Sequence, residues 1–220
     1  GELTKIGINL NLAPVADLAS DQNPSYAMRC LGSDADGVAD LLDDFVSGMR
    51  EGGLSVTLRT FPGIGNVSAD VTESIAENTD SLMTIRDTNF VPYASGIQAG
   101  ADCVMVSNAA YSKLTVKKVP AFMSQDIVTQ LLREELGFDG IVMTSPLNDN
   151  VIENNYTNEF AVVEAVKAGC DLIVLPGNFK ECYEALITAV KEGRIDEKVI
   201  NTSVRRILQN KIQRGILVLE

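Results

Sequence analysis

Twice in this chain a small residue and a glycine close an amphipathic stretch, and an aspartate opens an apolar run: Ala-Gly-Ala-Asp at 99–102 and Ala-Gly-Cys-Asp at 168–171. A glycine that can take the left-handed conformation ends a helix, and a run of Val, Ile, Leu and Met directly after it starts a strand. Repeated αβ turns of this kind build a parallel sheet covered by helices. Strands are predicted at 6–16, 54–60, 102–107, 140–144 and 171–175. Helices are predicted at about 36–51, 84–99, 124–136, 158–168, 179–193 and 197–213. The first carries Val38, Leu41, Leu42, Phe45, Val46 and Met49 on one face, and Ser124 caps the third. Five parallel strands with right-handed crossovers fit an open doubly wound sheet or most of a barrel, and periodicity alone does not separate the two. No GxGxxG follows a strand and no GxxxxGK[ST] occurs, so a nucleotide-binding open sheet loses its main support.

With 220 residues, 45% of them hydrophobic and 22% charged, the chain can bury one substantial core, and residues 1–220 are expected to form one domain. Its formal net charge of −12 argues against a nucleic-acid partner, since phosphate binding needs clustered Lys and Arg; solubility is the simpler account of the acidity. No run of apolar residues is long enough to span a bilayer, and Gly1 to Lys5 lack the features of a signal peptide. Cys30, Cys103, Cys170 and Cys182 are far apart with no CxxC pair, which reads as buried or incidental thiols. No metal and no cofactor is expected, and the compartment stays open.

In parallel α/β folds the binding groups stand at the carboxyl ends of the strands. Those positions hold Asp17 and, in the loop beyond it, Arg29; then Arg59, Thr60 and Phe61-Pro62-Gly63-Ile64-Gly65, followed by Asp70 and Thr72. The third strand ends in Ser107-Asn108 with Tyr111 close behind, and the fourth in Thr144-Ser145-Pro146 with Asp149 beyond.

The phrases Gly-Ile-Asn-Leu-Asn-Leu-Ala-Pro-Val-Ala-Asp (7–17), Arg-Cys-Leu-Gly-Ser-Asp (29–34), Phe-Pro-Gly-Ile-Gly (61–65), Glu-Glu-Leu-Gly-Phe-Asp-Gly-Ile-Val-Met-Thr (134–144) and Ala-Gly-Cys-Asp-Leu-Ile-Val-Leu-Pro (168–176) resemble glycoside hydrolase family 3. The similarity is strongest to its single-domain β-N-acetylhexosaminidase branch, and it runs in order over nearly the whole chain. It implies a TIM-type (β/α)8 barrel, of which this chain supplies about five strands and the following helices. Three strands are then missing, so an N-terminal segment, a second copy or another protein is expected to complete the barrel.

The resemblance further implies retaining hydrolysis, with one carboxylate as nucleophile and a proton donor for the leaving oxygen. In the hexosaminidase branch that donor is a histidine paired with an aspartate. This chain has no histidine, and it departs from the pattern at each of those points. Ser145 stands at the nucleophile, Thr72 at the donor histidine beside a surviving Asp70, and Arg59-Thr60 at the Lys-His pair that holds sugar hydroxyls. Ile64 replaces a second histidine, and Asn108 a histidine that often follows the third strand. A serine hydroxyl is un-ionised at neutral pH and needs a base to activate it. The expectation is therefore a glycosidase-derived domain without glycosidase activity that retains a carbohydrate or cell-wall-fragment site.

Two alternatives stay open. One is an active retaining glycosidase, of the β-N-acetylhexosaminidase or β-glucosidase class, on the rearranged carboxylates Asp149 and Asp70, each of which also fits an ordinary loop or capping role. The other is a purely structural domain. The expected ligand-binding positions are Asp17, Arg29, Arg59, Thr60, Asn108 and Tyr111. Asp17 and Arg29 fit equally well as a structural ion pair across the mouth. Arg59 fits either a bidentate fork onto a carboxylate or sulfate or a pairing with a nearby Asp. Tyr111 fits stacking on a sugar ring or a simple rim position.

Overall fold

Apolar, largely β-branched runs between glycines form the sheet in the computed structural model, which describes residues 1–67 and 69–218. In chain order the elements begin with α1 (Glu2–Lys5), β1 (Leu10–Asn11), α2 (Pro24–Ala27), α3 (Ala35–Glu51) and β2 (Ser55–Phe61). They continue with β3 (Glu77–Asn78), α4 (Leu82–Asp87), α5 (Phe90–Gln98), β4 (Cys103–Val106), β5 (Ala110–Tyr111) and β6 (Ile141–Thr144). The last four helices are α6 (Asn150–Glu153), α7 (Asn158–Ala168), α8 (Phe179–Lys191) and α9 (Glu197–Gln213). A short 3-10 turn at Ala121–Met123 and a π-wound helix at Asp126–Glu135 lie between β5 and β6.

The main sheet is parallel with order β1-β2-β4-β6. Cys103, Met105, Ile141 and Met143 point to its inner face, where they meet Leu10, Leu172 and Ile207 of α9. Val104, Val106 and Val142 point outward into a larger core with Leu42, Val46, Tyr93, Ile127 and Leu132 of the covering helices. Both faces are therefore buried, as a parallel sheet requires.

Three expected elements differ. The strand at 6–16 shrinks to β1 and a single bridge between Val15 and Arg59, because Pro14 brings no N–H to the ladder and residues 2–5 coil into α1. The helix at 84–99 divides into α4 and α5. The ring of Pro92 clashes with the carbonyl four residues earlier, at Thr88, where the helix breaks, and the Thr88 hydroxyl donates to Thr84 O at 2.7 Å instead. The strand at 171–175 keeps one bridge, Leu172 to Met143. There backbone bonds such as Thr144 N to Leu172 O (3.1 Å) are joined by side chains: Val174 N–H donates to Thr144 Oγ1 (3.1 Å) and Val142 N–H to Asp171 Oδ2 (2.9 Å). In α3, Leu41 is half exposed while Val38, Ala39, Leu42 and Val46 are buried. Ser124 Oγ does accept from Ile127 N at 3.4 Å, and the helix it precedes closes with a five-residue bond, Leu136 N to Leu131 O.

The two aspartates of the repeated turn hold the floor of the sheet. Asp102 accepts from Val56 N (3.0 Å), Asn210 (3.1 Å), Arg50 (3.0 Å) and both oxygens from Arg214 (2.6 Å each). Asp171 accepts from Arg133 (2.5 Å) and Arg206 (3.1 Å) as well as Val142. Two of those groups, Arg206 and Asn210, come from α9 and a third, Arg214, is its C-cap, so the last helix is clamped under the strand starts.

Candidate functional site

At the opposite end, where the strands finish, a cavity of about 410 Å³ opens between the loops. That is within the range of small-ligand sites. Its walls bring together Arg29, Arg59, Thr60, Asp70, Thr72, Asn108, Ser145 and Asp149, residues scattered over more than half the chain. Two expected site residues, Asp17 and Tyr111, do not line it.

Asp17 lies fully buried beneath the wall. Its Oδ1 accepts from Thr60 N (3.0 Å) and the Tyr93 hydroxyl (2.8 Å), and its Oδ2 from the Tyr26 hydroxyl (2.7 Å) and Thr60 Oγ1 (3.0 Å). Burial raises its pKa, against the pull of those hydrogen bonds. A carboxylate with every oxygen engaged inside the protein fixes Thr60 and Tyr26 rather than a ligand. It forms no ion pair with Arg29, which instead lies over the Tyr26 ring, 5.4 Å from its centroid. Tyr111 is likewise buried, and its hydroxyl donates to Gly63 O at 3.0 Å, so it props the Phe61–Gly65 loop from below and is not a rim residue. That loop needs its glycines. Gly63 has φ +118°, and a Cβ on Gly65 would sit 1.7 Å from Leu18 O.

Ser145 uses its hydroxyl on the backbone: Oγ donates to Val106 O at 2.9 Å, the same oxygen that receives its own N–H at 2.9 Å. Thr72 donates its N–H (2.9 Å) and Oγ1 (2.7 Å) to Asp70, forming a tight Asx turn that lowers the Asp70 pKa. The same turn is tied to α6 by Val151 N to Thr72 O at 2.8 Å. Asp149 begins α6, and its Oδ2 accepts from Asn108 Nδ2 at 2.8 Å. Burial raises the Asp149 pKa, with repulsion from Asp70 and Glu73 adding to it. The cavity therefore holds two carboxylates driven in opposite directions, the pattern that separates an acid from a base.

Among the described residues, two arginines and one amide oxygen at the cavity lack partners. Neither Arg29 nor Arg59 pairs with a carboxylate among the described residues, so the expected local Asp partner of Arg59 is absent there. Arg59 Nε is buried without a hydrogen-bond partner, and so is Asn108 Oδ1. Among the described residues no cluster of three His, Cys, Asp or Glu side chains gathers that would hold a metal ion, and no helix is long and apolar enough to cross a membrane.

Sequence reasoning missed Tyr26 and Tyr93, the two phenol hydroxyls on Asp17. The first had a legible trace, since Asn23 caps α2 and Pro24 opens it, which fixes Tyr26 against the strand. Tyr93 showed only as a helical apolar position; its edge-on packing against Phe61 at 5.2 Å is a tertiary fact.

The sequence profile described as the glycosyl hydrolase family 3 N-terminal domain matches residues 1–210. The chain belongs to that family. The glycosyl hydrolase family 3 fold extends to solved relatives. A family 3 β-N-acetylglucosaminidase from a Paenibacillus species superposes with a TM-score of 0.94 at 33% identity, over 100% of this chain and 43% of that one. A β-hexosaminidase of Stenotrophomonas maltophilia strain K279a is 32% identical over 98% of this chain and 61% of its own length. One from Xylella fastidiosa strain M23 is 32% identical over 79% of this chain and 51% of its own. The chain spans about half the length of the curated relatives it matches. The chain thus has the parallel α/β fold of the family 3 N-terminal domains, with the open sheet β1-β2-β4-β6 and its helices as the part it supplies.

Proposed function

We propose that this family 3 domain binds a carbohydrate in the strand-end cavity and does not hydrolyse it. The observation that carries this is Ser145: at the position the resemblance assigns to the nucleophile, the hydroxyl is donated to Val106 O while the cavity above it stays open. A neutral hydroxyl bound to a carbonyl supplies no negative charge for an oxocarbenium-like transition state. No histidine exists in the chain to ionise it. Losing both nucleophile and donor removes several powers of ten in rate. The uncommitted donors of Arg29 and Arg59 and the free Asn108 oxygen support a retained binding role.

One observation favours a second reading, a hydrolase on relocated carboxylates. Asp149 with its raised pKa would protonate the leaving oxygen, and Asp70 with its lowered one would stay ionised.

The test is turnover of p-nitrophenyl N-acetyl-β-glucosaminide together with calorimetry of N-acetylglucosamine and chitobiose. Binding without release of p-nitrophenol is the expected result. Turnover that vanishes in Asp149→Asn or Asp70→Asn would replace this reading by the second one. An absence of both heat and turnover would leave only a structural role.

A further inference from the structure

The cavity's unspent groups are not neutral. Arg59 emerges from the end of β2 with its Nε buried and unpartnered, and no carboxylate lies in ion-pair range among the described residues. A buried donor left without an acceptor costs free energy, and for a charged group the cost is larger. Such a group persists where a ligand supplies the acceptor.

Asn108 presents the complementary vacancy. It is almost wholly buried (1% exposed), its amide is held by Asp149, and its Oδ1 has no partner although Asn108 lines the cavity. Asp149 accepts from Nδ2, which fixes the carbonyl as the free end, so the site also asks for a donor.

We infer that the ligand is a sugar bearing an acidic group, a carboxylate or a sulfate, whose oxyanion forks onto Arg59 while a hydroxyl or amide N–H of the same sugar donates to Asn108 Oδ1. The inference rests on the carbohydrate-binding reading above and adds the chemical class to it. Guanidinium matches a planar or tetrahedral oxyanion with two parallel N–H bonds, which an ammonium does not do. Arg29, stacked on Tyr26 at the same wall, adds a second positive charge without a carboxylate partner. The opposing carboxylates set the orientation. Asp149 is repelled by Asp70 and Glu73 and attracted by Arg59, so a further anion is favoured only where it meets a guanidinium directly, at Arg59 or Arg29.

Three matched probes decide the matter by calorimetry on the 220-residue chain: N-acetylglucosamine, its 6-sulfate, and N-acetylglucosaminuronic acid. At least one acidic sugar should bind about tenfold or more tighter than the neutral one, the gain expected of a charge-assisted pair. Which of the two gains more separates sulfate from carboxylate. Arg59→Met should erase the gain. In the unaltered protein, added sodium chloride should weaken the acidic sugar alone, a readout independent of how any variant folds. Equal binding of neutral and acidic sugars, or a gain that survives Arg59→Met, overturns the inference and leaves the carbohydrate-binding reading standing. If no sugar binds, that reading falls and the inference falls with it.

Discussion

The floor and the mouth of this sheet use the same side chains to opposite ends. At the floor, Asp102 and Asp171 are each closed off by guanidinium groups and by a strand N–H, and α9 is locked in place by the contact. At the mouth, Arg29 and Arg59 meet no carboxylate among the described residues, and the one fully buried aspartate, Asp17, is satisfied by hydroxyls and an amide instead. Burial makes the difference legible. Charges that stabilise a fold are paired where water is excluded, because an unpaired buried charge costs several kcal/mol, roughly 3–5. Arg29 and Arg59 instead border an open cavity, where the buried Arg59 Nε has no partner among the described residues.

The largest effect expected of this comparison is at the floor. Asp171→Ala leaves Arg133 with its side chain only 10% exposed and no counter-ion, and should lower the unfolding free energy by roughly 3–5 kcal/mol in urea denaturation. Arg59→Ala at the mouth should change it by no more than about 0.5 kcal/mol. Comparable losses in the two variants would break the distinction and make Arg59 a structural residue.

A smaller effect separates Ser145 from catalysis. Ser145→Ala removes the bond to Val106 O and should cost about 0.5–1.5 kcal/mol while leaving sugar binding as it was. A variant that loses binding but not stability would show the hydroxyl facing the ligand.

The smallest effect is a pH dependence at Asp149, which is only partly buried. Its pKa is raised in the folded state by burial and by Asp70 and Glu73, so folding favours the protonated form. That contribution is fully present below the ordinary Asp pKa and is lost as pH rises through the folded value. Between those two values the unaltered protein should therefore lose slightly more stability with rising pH than Asp149→Asn, as read from denaturation midpoints at a series of pH values. Identical slopes would mean that Asp149 is as solvated as the rim.

Much of the fold was written locally. Helix ends at Gly53, Gly100, Gly137 and Gly169 all take the left-handed conformation that the sequence phrases implied. The runs at 54–60, 102–107 and 140–144 became the adjacent strands β2, β4 and β6. The strand at 171–175 was less legible, because side chains, Thr144 toward Val174 N–H and Asp171 toward Val142 N–H, share in its pairing. The site was legible as a set of strand ends and illegible as a set of directions. Arg59, Asn108, Ser145 and Asp149 do converge, whereas Asp17 and Tyr111, at equally plausible positions, turn inward.

By itself the sequence determined the main alternation of strands and helices, the family and the lack of any histidine, because these depend on residue type and short-range spacing. Only the tertiary structure decided that Ser145 is spent on Val106, that Asp17 anchors Thr60 and Tyr26, and that Arg59 and Asn108 are left wanting partners. Those are questions of which polar groups meet across long separations, and hydrogen bonding is settled by the partner and its direction rather than by the residue alone.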